Sequence, residues 1–259
     1  VERKMSGDYR IIGCESLLRW NNPDLGAVMP ETFIPIAEQT DLICSIGDWV
    51  LVKAINDFKS IATKFRNPLF ISINLSARQL KTPQIVDKIV NVISNTHIQP
   101  KDLHLELTET SFLDDGLQVI KNIDELEKLG IRIAIDDFGV GFASLKYLQR
   151  IPASTSKIDR SFIQHIGSNN EHKKLVESII MLGNNLKKEV IAEGVENLEH
   201  LYMLSSQKCY KYQGYLFSRP VTLQNFESLL KDENQNLFLK SSMGGFLNAD
   251  NSLEKPGDK

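Results

Sequence analysis

Residues 132–145 read RIAIDDFGVGFASL, and this stretch decides how the rest of the chain is read. Up to Ile135 apolar and small or polar residues alternate, the pattern of a β-strand with two unlike faces. The strand then ends in adjacent acids, Asp136 and Asp137, followed by a glycine-rich turn. Two carboxylates about 4 Å apart repel by roughly 4 kcal/mol at an effective dielectric near 20. Something must neutralise or separate them where a buried strand emerges.

The same design recurs outward from this stretch. The short apolar runs RIIGCESL, LFISINLS, LHLELTE, TSKID, EVIAEG and CYKYQG read as further strands. Between them, helices are predicted over 45–65, 82–95, 116–129, 171–187 and 197–206. In the first, Ile46, Trp49, Val50, Lys53, Ala54 and Phe58 are expected to form the face that packs on a sheet. Strand–helix alternation with short loops argues for a parallel sheet, and so many repeats in one 259-residue chain argue for closure into a barrel. The fold class is therefore α/β, a TIM-like (β/α)8 barrel, with its first strand not evident. From residue 232 the pattern dissolves into a polar stretch rich in Asn, Ser, Gly and Lys, read as a tail or linker over 232–259 after a domain spanning 1–231.

Composition narrows the function. A hydrophobic fraction of 42% and a charged fraction of 24% are ordinary for a globular protein, and a net charge of −3 argues against a partner that is polymeric nucleic acid. Cys14, Cys44 and Cys209 lack metal-ligand spacing and read as reduced core residues. No apolar run approaches the ~18 to 20 residues that cross a bilayer. The opening VERKMSGDYR is polar and lacks an initiating Met, so a fragment of a longer protein is expected, cytoplasmic here and tethered to the inner membrane, if at all, through a region upstream.

The polar residues at the strand ends are Glu15, Asn74, Glu106, Asp136 with Asp137, Lys157, Glu193 and Gln213. In a parallel barrel these ends converge on one face, where active sites sit. One such acid alone is most often a solvated loop carboxylate; a full set in register is not. Alternation puts Asp136, Ala134 and Arg132 on the interior, with Ile131, Ile133 and Ile135 against the helices. Asn74 then shares its face with Ser72, and Glu106 with His104. His104 reads as a hydrogen-bonded interior histidine, and Arg132 and Glu189 as an inward-facing ion pair near the barrel bottom. Oxygen ligands without His or Cys suit Mg²⁺ or Mn²⁺, and two such ions ~3.5 to 4 Å apart would clamp an in-line displacement at phosphorus. They would also remove the repulsion between Asp136 and Asp137. There is no G-x-S-x-G, a glycosidase needs only two carboxylates, and GVGFAS lacks a dinucleotide-binding pattern.

These residues resemble the EAL domain, a family of phosphodiesterases that hydrolyse cyclic di-GMP. The resemblance runs over about 11–230 through ESLLRW, PETFIPIAEQTDLI, SINLSARQL, LELTET, IAIDDFG, SKIDRSFI, AEGVE and YQGYLFSRP. It implies that Glu15, Asn74, Glu106 and Asp136 hold one divalent ion, and that Asp136 and Asp137 hold the second with Glu193 nearby. A water between the ions would attack one phosphodiester and yield linear pGpG. Lys157 would orient that water, Gln213 would support it, and Glu109 would brace the loop after Asp137. Arg19, with Leu18 beside it, would bind a substrate phosphate, and Asp159 and Glu196 would support the site. The family further implies a homodimer and, in a longer chain, an upstream sensory or cyclase domain.

Two departures stand out. The family's first strand, bearing a Tyr-Gln-Pro motif, is absent. The loop that commonly reads DDFGTGYSSL has lost three hydroxyls, at Val140, Phe142 and Ala143, each able to make a hydrogen bond worth about 0.5–1.5 kcal/mol. These leave a second reading, a receptor that binds cyclic di-GMP with weak or no turnover and signals through a partner. A different barrel enzyme, enolase-like with Lys157 as base and Mg²⁺, is outweighed by the density of the motif match.

Overall fold

The computed structural model describes residues 1–5, 8–65, 67–112, 117–140, 149, 151–167 and 169–234. Its sheet is built from a hairpin, β1 (Glu2–Arg3) and β2 (Tyr9–Arg10), followed by β3 (Gly13–Ser16). A separate hairpin, β4 (Trp20–Asn22) and β5 (Gly26–Val28), follows β3, and then come β6 (Phe70–Asn74), β7 (Leu103–Thr108) and β8 (Arg132–Phe138). β9 (Thr155–Ile158), β10 (Glu189–Ala192) and β11 (Lys211–Tyr212) complete it. The order is β2-β1-β11-β10-β9-β8-β7-β6-β3, and every neighbouring pair from β3 through β11 is parallel. The curled parallel sheet with outer helices is the TIM-like α/β barrel expected from strand–helix alternation.

Helices Leu42–Ala62, Ile85–Thr96, Leu117–Lys128, Asn170–Asn185 and Leu198–Ser206 fall within a few residues of the predicted spans. Several open on side-chain caps: Ser76 forms a capping box with Gln79, and Asp159, Asn169 and Asn197 each accept a hydrogen bond from a first-turn backbone N–H. One detail is corrected. The buried stripe of the helix Leu42–Ala62 is Ile43, Leu51, Ala54, Ile55, Phe58 and Ile61, whereas Trp49 is 58% exposed. Two residues span about 200° of helix, so Trp49 lies on the side opposite Leu51. Unread in the sequence were the helix Pro30–Gln39 and the β4–β5 hairpin, whose turn is fastened by Asn22 Oδ1 accepting from the N–H groups of Asp24 and Leu25. The last helix, Leu223–Asn234, continues past the expected start of the tail at 232.

Side-chain alternation holds. Ile71, Ile73, Leu103, Leu105, Leu107, Ile133 and Ile135 are buried in the apolar layer between sheet and helices. On the other face, His104 is buried and stacked on Phe70, ring centroids 3.9 Å apart and nearly parallel. Burial, with the charges of Arg132 and Lys211, pushes its imidazole down to about 3, so it is a neutral interior ring. Arg132 and Glu189 do face one another, but at 4.0 Å; the nearer partner of Glu189 is Lys211. β8 and β10 are separated by β9, roughly 10 Å in all, whereas β11 lies directly beside β10.

A short strand lies at the edge where none was evident in the sequence. β1 runs antiparallel to β11, with Glu2 opposite Lys211, and β2 pairs back on β1 before the chain continues into β3. Above this hairpin β3 and β11 share no ladder, and a cavity of about 940 Å³ opens between them and runs to the barrel mouth. A side-chain bond crosses the gap: Gln213 Nε2 donates to Glu15 Oε2 at 2.7 Å.

After β11 the chain presses on the end of β10. A Cβ at Gly214 would lie 2.2 Å from the Val195 carbonyl oxygen and 2.3 Å from its nitrogen, both backbone atoms. Gly214→Ala is therefore expected to destabilise the fold by about 1–3 kcal/mol, the usual range for overpacking. Urea unfolding followed by circular dichroism checks this, and an unchanged midpoint contradicts the close approach.

Candidate active site

Four carboxylates, three on strands and one just past the end of a fourth, converge on one ammonium. Lys157 Nζ, from β9, lies 2.7 Å from Glu106 of β7 and 2.6 Å from Glu193 beyond β10. It is 3.6 Å from Glu15 of β3 and 3.6 Å from Asp136 of β8. The side chains of Lys157 and Glu106 are each only 2% exposed. Asn74 Nδ2 donates to Glu15 Oε1 at 2.7 Å, so Glu15 is held on one oxygen by Asn74 and on the other by Gln213. The structure thus brings together Glu15, Asn74, Glu106, Asp136, Lys157, Glu193 and Gln213, the set expected from the strand ends apart from Asp137.

The charges respond to this crowding. Burial pushes Glu106 up to about 8 and Glu193 up to about 7, against the opposing pull of Lys157 in both. Glu15 goes the other way: burial raises it, but Lys157 and the hydrogen bonds from Gln213 and Asn74 bring it below its ordinary value. Burial would release the proton of Lys157, yet Glu106, Glu193, Glu15 and Asp136 hold it well above the usual lysine range.

Asp137 departs from the cluster by a backbone device. Ile135 pairs with Ser156 and Phe138 with Ile158, so β8 carries one residue more than β9 across the same span, a β-bulge. Within the bulge Asp137 has φ +52°, in the left-handed region, and Gly139 follows at φ +99°. Adjacent acids on a regular strand would point to opposite faces; the bulge re-aims the second. Burial and the charges of Asp136 and Asp159 raise the Asp137 carboxyl above its ordinary value.

The other expected residues sit further out. Glu109, buried, accepts from Gly139 N–H at 3.3 Å; the loop it was expected to brace continues outside the described residues. Asp159 accepts from Ser161 N–H at 3.0 Å as the cap of the helix Arg160–Gln164. Arg19 and Glu196 are exposed on the cavity lining, while Leu18 offers its carbonyl to Arg19 Nη1 at 2.8 Å. Val140 is exposed; Phe142 and Ala143 lie outside the described residues. Sequence reading passed over Arg160, Tyr215 and Arg219, which also line the cavity. The last two stand in the quoted run YQGYLFSRP, so the signal was present but was not resolved into single residues.

The donor set suits a hard divalent cation, since it is all oxygen apart from Lys157. Asp136 Oδ1 adds a specific sign, being buried and without a hydrogen bond among the described residues, with Lys157 Nζ 3.6 Å away as its counter-charge. No group of three acids, histidines or cysteines among those residues is already drawn into ion-holding geometry, because the carboxylates converge on the ammonium.

Fold and mouth define a barrel protein whose working end is a carboxylate cluster around one lysine. It belongs to the EAL domain family, whose model matches residues 5–220. The chain is 37% identical over 211 residues to the bifunctional diguanylate cyclase/cyclic di-GMP phosphodiesterase MucR of Pseudomonas aeruginosa, covering 82% of this chain and 31% of MucR. It is 36% identical over 224 residues to the cyclic di-GMP phosphodiesterase NbdA of the same organism, covering 86% of this chain and 29% of NbdA. Among solved structures it resembles PaMucR phosphodiesterase in its c-di-GMP complex, with a TM-score of 0.77, 36% identity and coverage of 82% of this chain and 86% of that one. The chain thus spans about a third of the length of these curated relatives. No helix among the described residues is long and apolar enough to cross a membrane.

Removing Lys157 strands Glu106 and Glu193 without their counter-ion. Both have folded-state values raised above 4.5, so their ionisation costs little near pH 5 and grows as the pH rises through 7 and 8. Lys157→Met should lose about 3–5 kcal/mol at pH 8 in chelator, and clearly less at pH 5. Urea titrations at the two pH values test this; an equal loss at both refutes it.

Proposed function

We propose that this chain hydrolyses cyclic di-GMP to linear pGpG with two divalent cations, Mg²⁺ or Mn²⁺. The observation that carries the reading is the convergence of Glu15, Glu106, Asp136 and Glu193 on Lys157 at the barrel mouth, in a chain similar along most of its length to named cyclic di-GMP phosphodiesterases. Counting Asp137, five carboxylates and one ammonium leave four negative charges, the charge that two divalent cations neutralise.

In this reading Glu15, Asn74, Glu106 and Asp136 hold one cation, and Asp136 and Asp137 the other, with Glu193 beside them. When bound, the cations supply a polarised water and stabilise charge on the phosphoryl oxygens. Gln213 and Asn74 fix both oxygens of Glu15 and so set its orientation before any ligand arrives. Without cations the surrounding carboxylates hold the proton on Lys157, and the part assigned to it is to orient the water and stabilise negative charge. Arg19, exposed on the lining, binds a substrate phosphate. Glu109, through Gly139, keeps the loop after the bulge in place.

Incubation with cyclic di-GMP and Mg²⁺ or Mn²⁺, followed by chromatography, should show pGpG. Glu15→Ala should lower the rate by at least about 100-fold, in line with the loss of an oriented site group. Tight binding of cyclic di-GMP without turnover would favour the receptor reading instead. Binding of either cation should also release protons, because the raised Glu106 and Glu193 carboxyls must ionise to serve as ligands. Calorimetry in two buffers of different ionisation enthalpy should show this release at pH 6.5 and little of it at pH 9; equal release at both pH values contradicts it.

A further inference from the structure

Two side chains on the cavity rim have no part in the cleavage scheme. The guanidinium carbon of Arg219 lies 4.4 Å from the centroid of the Tyr215 ring, and both residues line the cavity that holds Glu15, Lys157 and Glu193. The pair is stiffly mounted. Leu216 N–H donates to the Val195 carbonyl at 3.0 Å, and Phe217 and Ser218 N–H groups donate to the Gly214 carbonyl at 3.1 and 3.3 Å. The Phe217 ring is buried against Tyr212 and Tyr9, with centroids 6.1 and 6.0 Å away. Positions 215 and 219 are thus presented from one tight turn riveted to the end of β10.

Stacking on an aromatic ring occupies one face of a guanidinium and leaves its N–H edges directed outward in the plane. Such an edge matches two adjacent acceptors. Guanine offers O6 and N7, whereas adenine offers N7 beside the N6 amino donor, so an arginine edge accepts one base and opposes the other. In a cyclic dinucleotide both phosphodiesters belong to the compact central ring, which must meet the carboxylate cluster for cleavage, and the bases project outward. Arg219 and Tyr215, exposed on the lining of the same cavity, stand where an outward-projecting base can reach them.

We propose that Arg219, held flat by Tyr215, reads the O6/N7 edge of one guanine and gives the site its preference for guanine over adenine. The inference rests on the cyclic di-GMP reading above and adds the residue that would enforce base identity.

The test is calorimetric binding of cyclic di-GMP and cyclic di-AMP to the full chain, with Ca²⁺ present, for the unsubstituted protein, Arg219→Ala, Arg219→Lys and Tyr215→Phe. Arg219→Ala should weaken cyclic di-GMP about 10- to 100-fold and leave cyclic di-AMP within about two-fold. Arg219→Lys, which keeps the charge without the fork, should also lose preference, and Tyr215→Phe, which keeps the ring, should retain it. Arg219 is exposed, so thermal melts of its variants should match the parent. Equal weakening of both dinucleotides by Arg219→Ala would mean a phosphate contact and overturns the inference, as does no weakening of either. An unsubstituted protein that binds both dinucleotides equally overturns base selection while leaving the phosphodiesterase reading intact. One that binds neither overturns both.

Discussion

The barrel mouth is organised around a single buried ammonium. Carboxylates at the ends of parallel strands are driven into one small volume by topology, and their mutual repulsion opposes the closure that brings them there. Lys157 answers that repulsion from within. It arises on β9, next to β8 and β10, and reaches acids on β3, β7 and β8 and beyond the end of β10. A buried ion pair contributes little net stability by itself, since desolvation offsets attraction. Its value here is specification: with the ammonium central, Glu15, Glu106, Asp136 and Glu193 have one mutual arrangement.

Around this centre the backbone is adjusted rather than regular. The extra residue of β8 lets Asp136 stay on the interior face while Asp137, at φ +52°, turns toward Asp159. A left-handed conformation costs a residue such as Asp on the order of 1 kcal/mol, and strain of this kind persists where surrounding structure enforces it. Here the enforcing contacts are the ladders on either side of β8 and the bond from Gly139 N–H to Glu109. The result is that Asp137 stays within reach of the charges of Asp136, Asp159 and Lys157, where a regular strand would turn it to the opposite face.

The opposite seam shows a different economy. β3 and β11 share no ladder, and Gln213 donates to Glu15 across the space between them. That bond belongs at once to the wall of the barrel and to the orientation of Glu15, so closure and site geometry are coupled at this edge. At the bottom, Glu2 pairs with Arg10 and Lys211, and Lys211 with Glu189, so the hairpin is joined to the barrel by a chain of charges as well as by its ladder.

The barrel class, the strand ends and the interior–exterior alternation were legible in the residues because period-2 and period-3.6 patterns are local and each strand end is marked by a polar residue after an apolar run. Glu15, Asn74, Glu106, Asp136, Lys157, Glu193 and Gln213 could be picked out this way before any fold was known. Trp49 was misplaced because one helix offers two apolar faces, and only the packed neighbours choose between them. The Arg132–Glu189 pair was right in face yet loose in contact, since strand order gave Glu189 the closer Lys211. The bulge at Asp136–Asp137, the seam bridged by Gln213 and the Arg219–Tyr215 stack left no mark in local pattern. Only the seam joins residues far apart in the chain, Gln213 and Glu15. The bulge is set by how β8 registers against β9, and the Arg219–Tyr215 stack by a turn held on the Val195 carbonyl, and all three are settled only when the sheet curls and its ends come together.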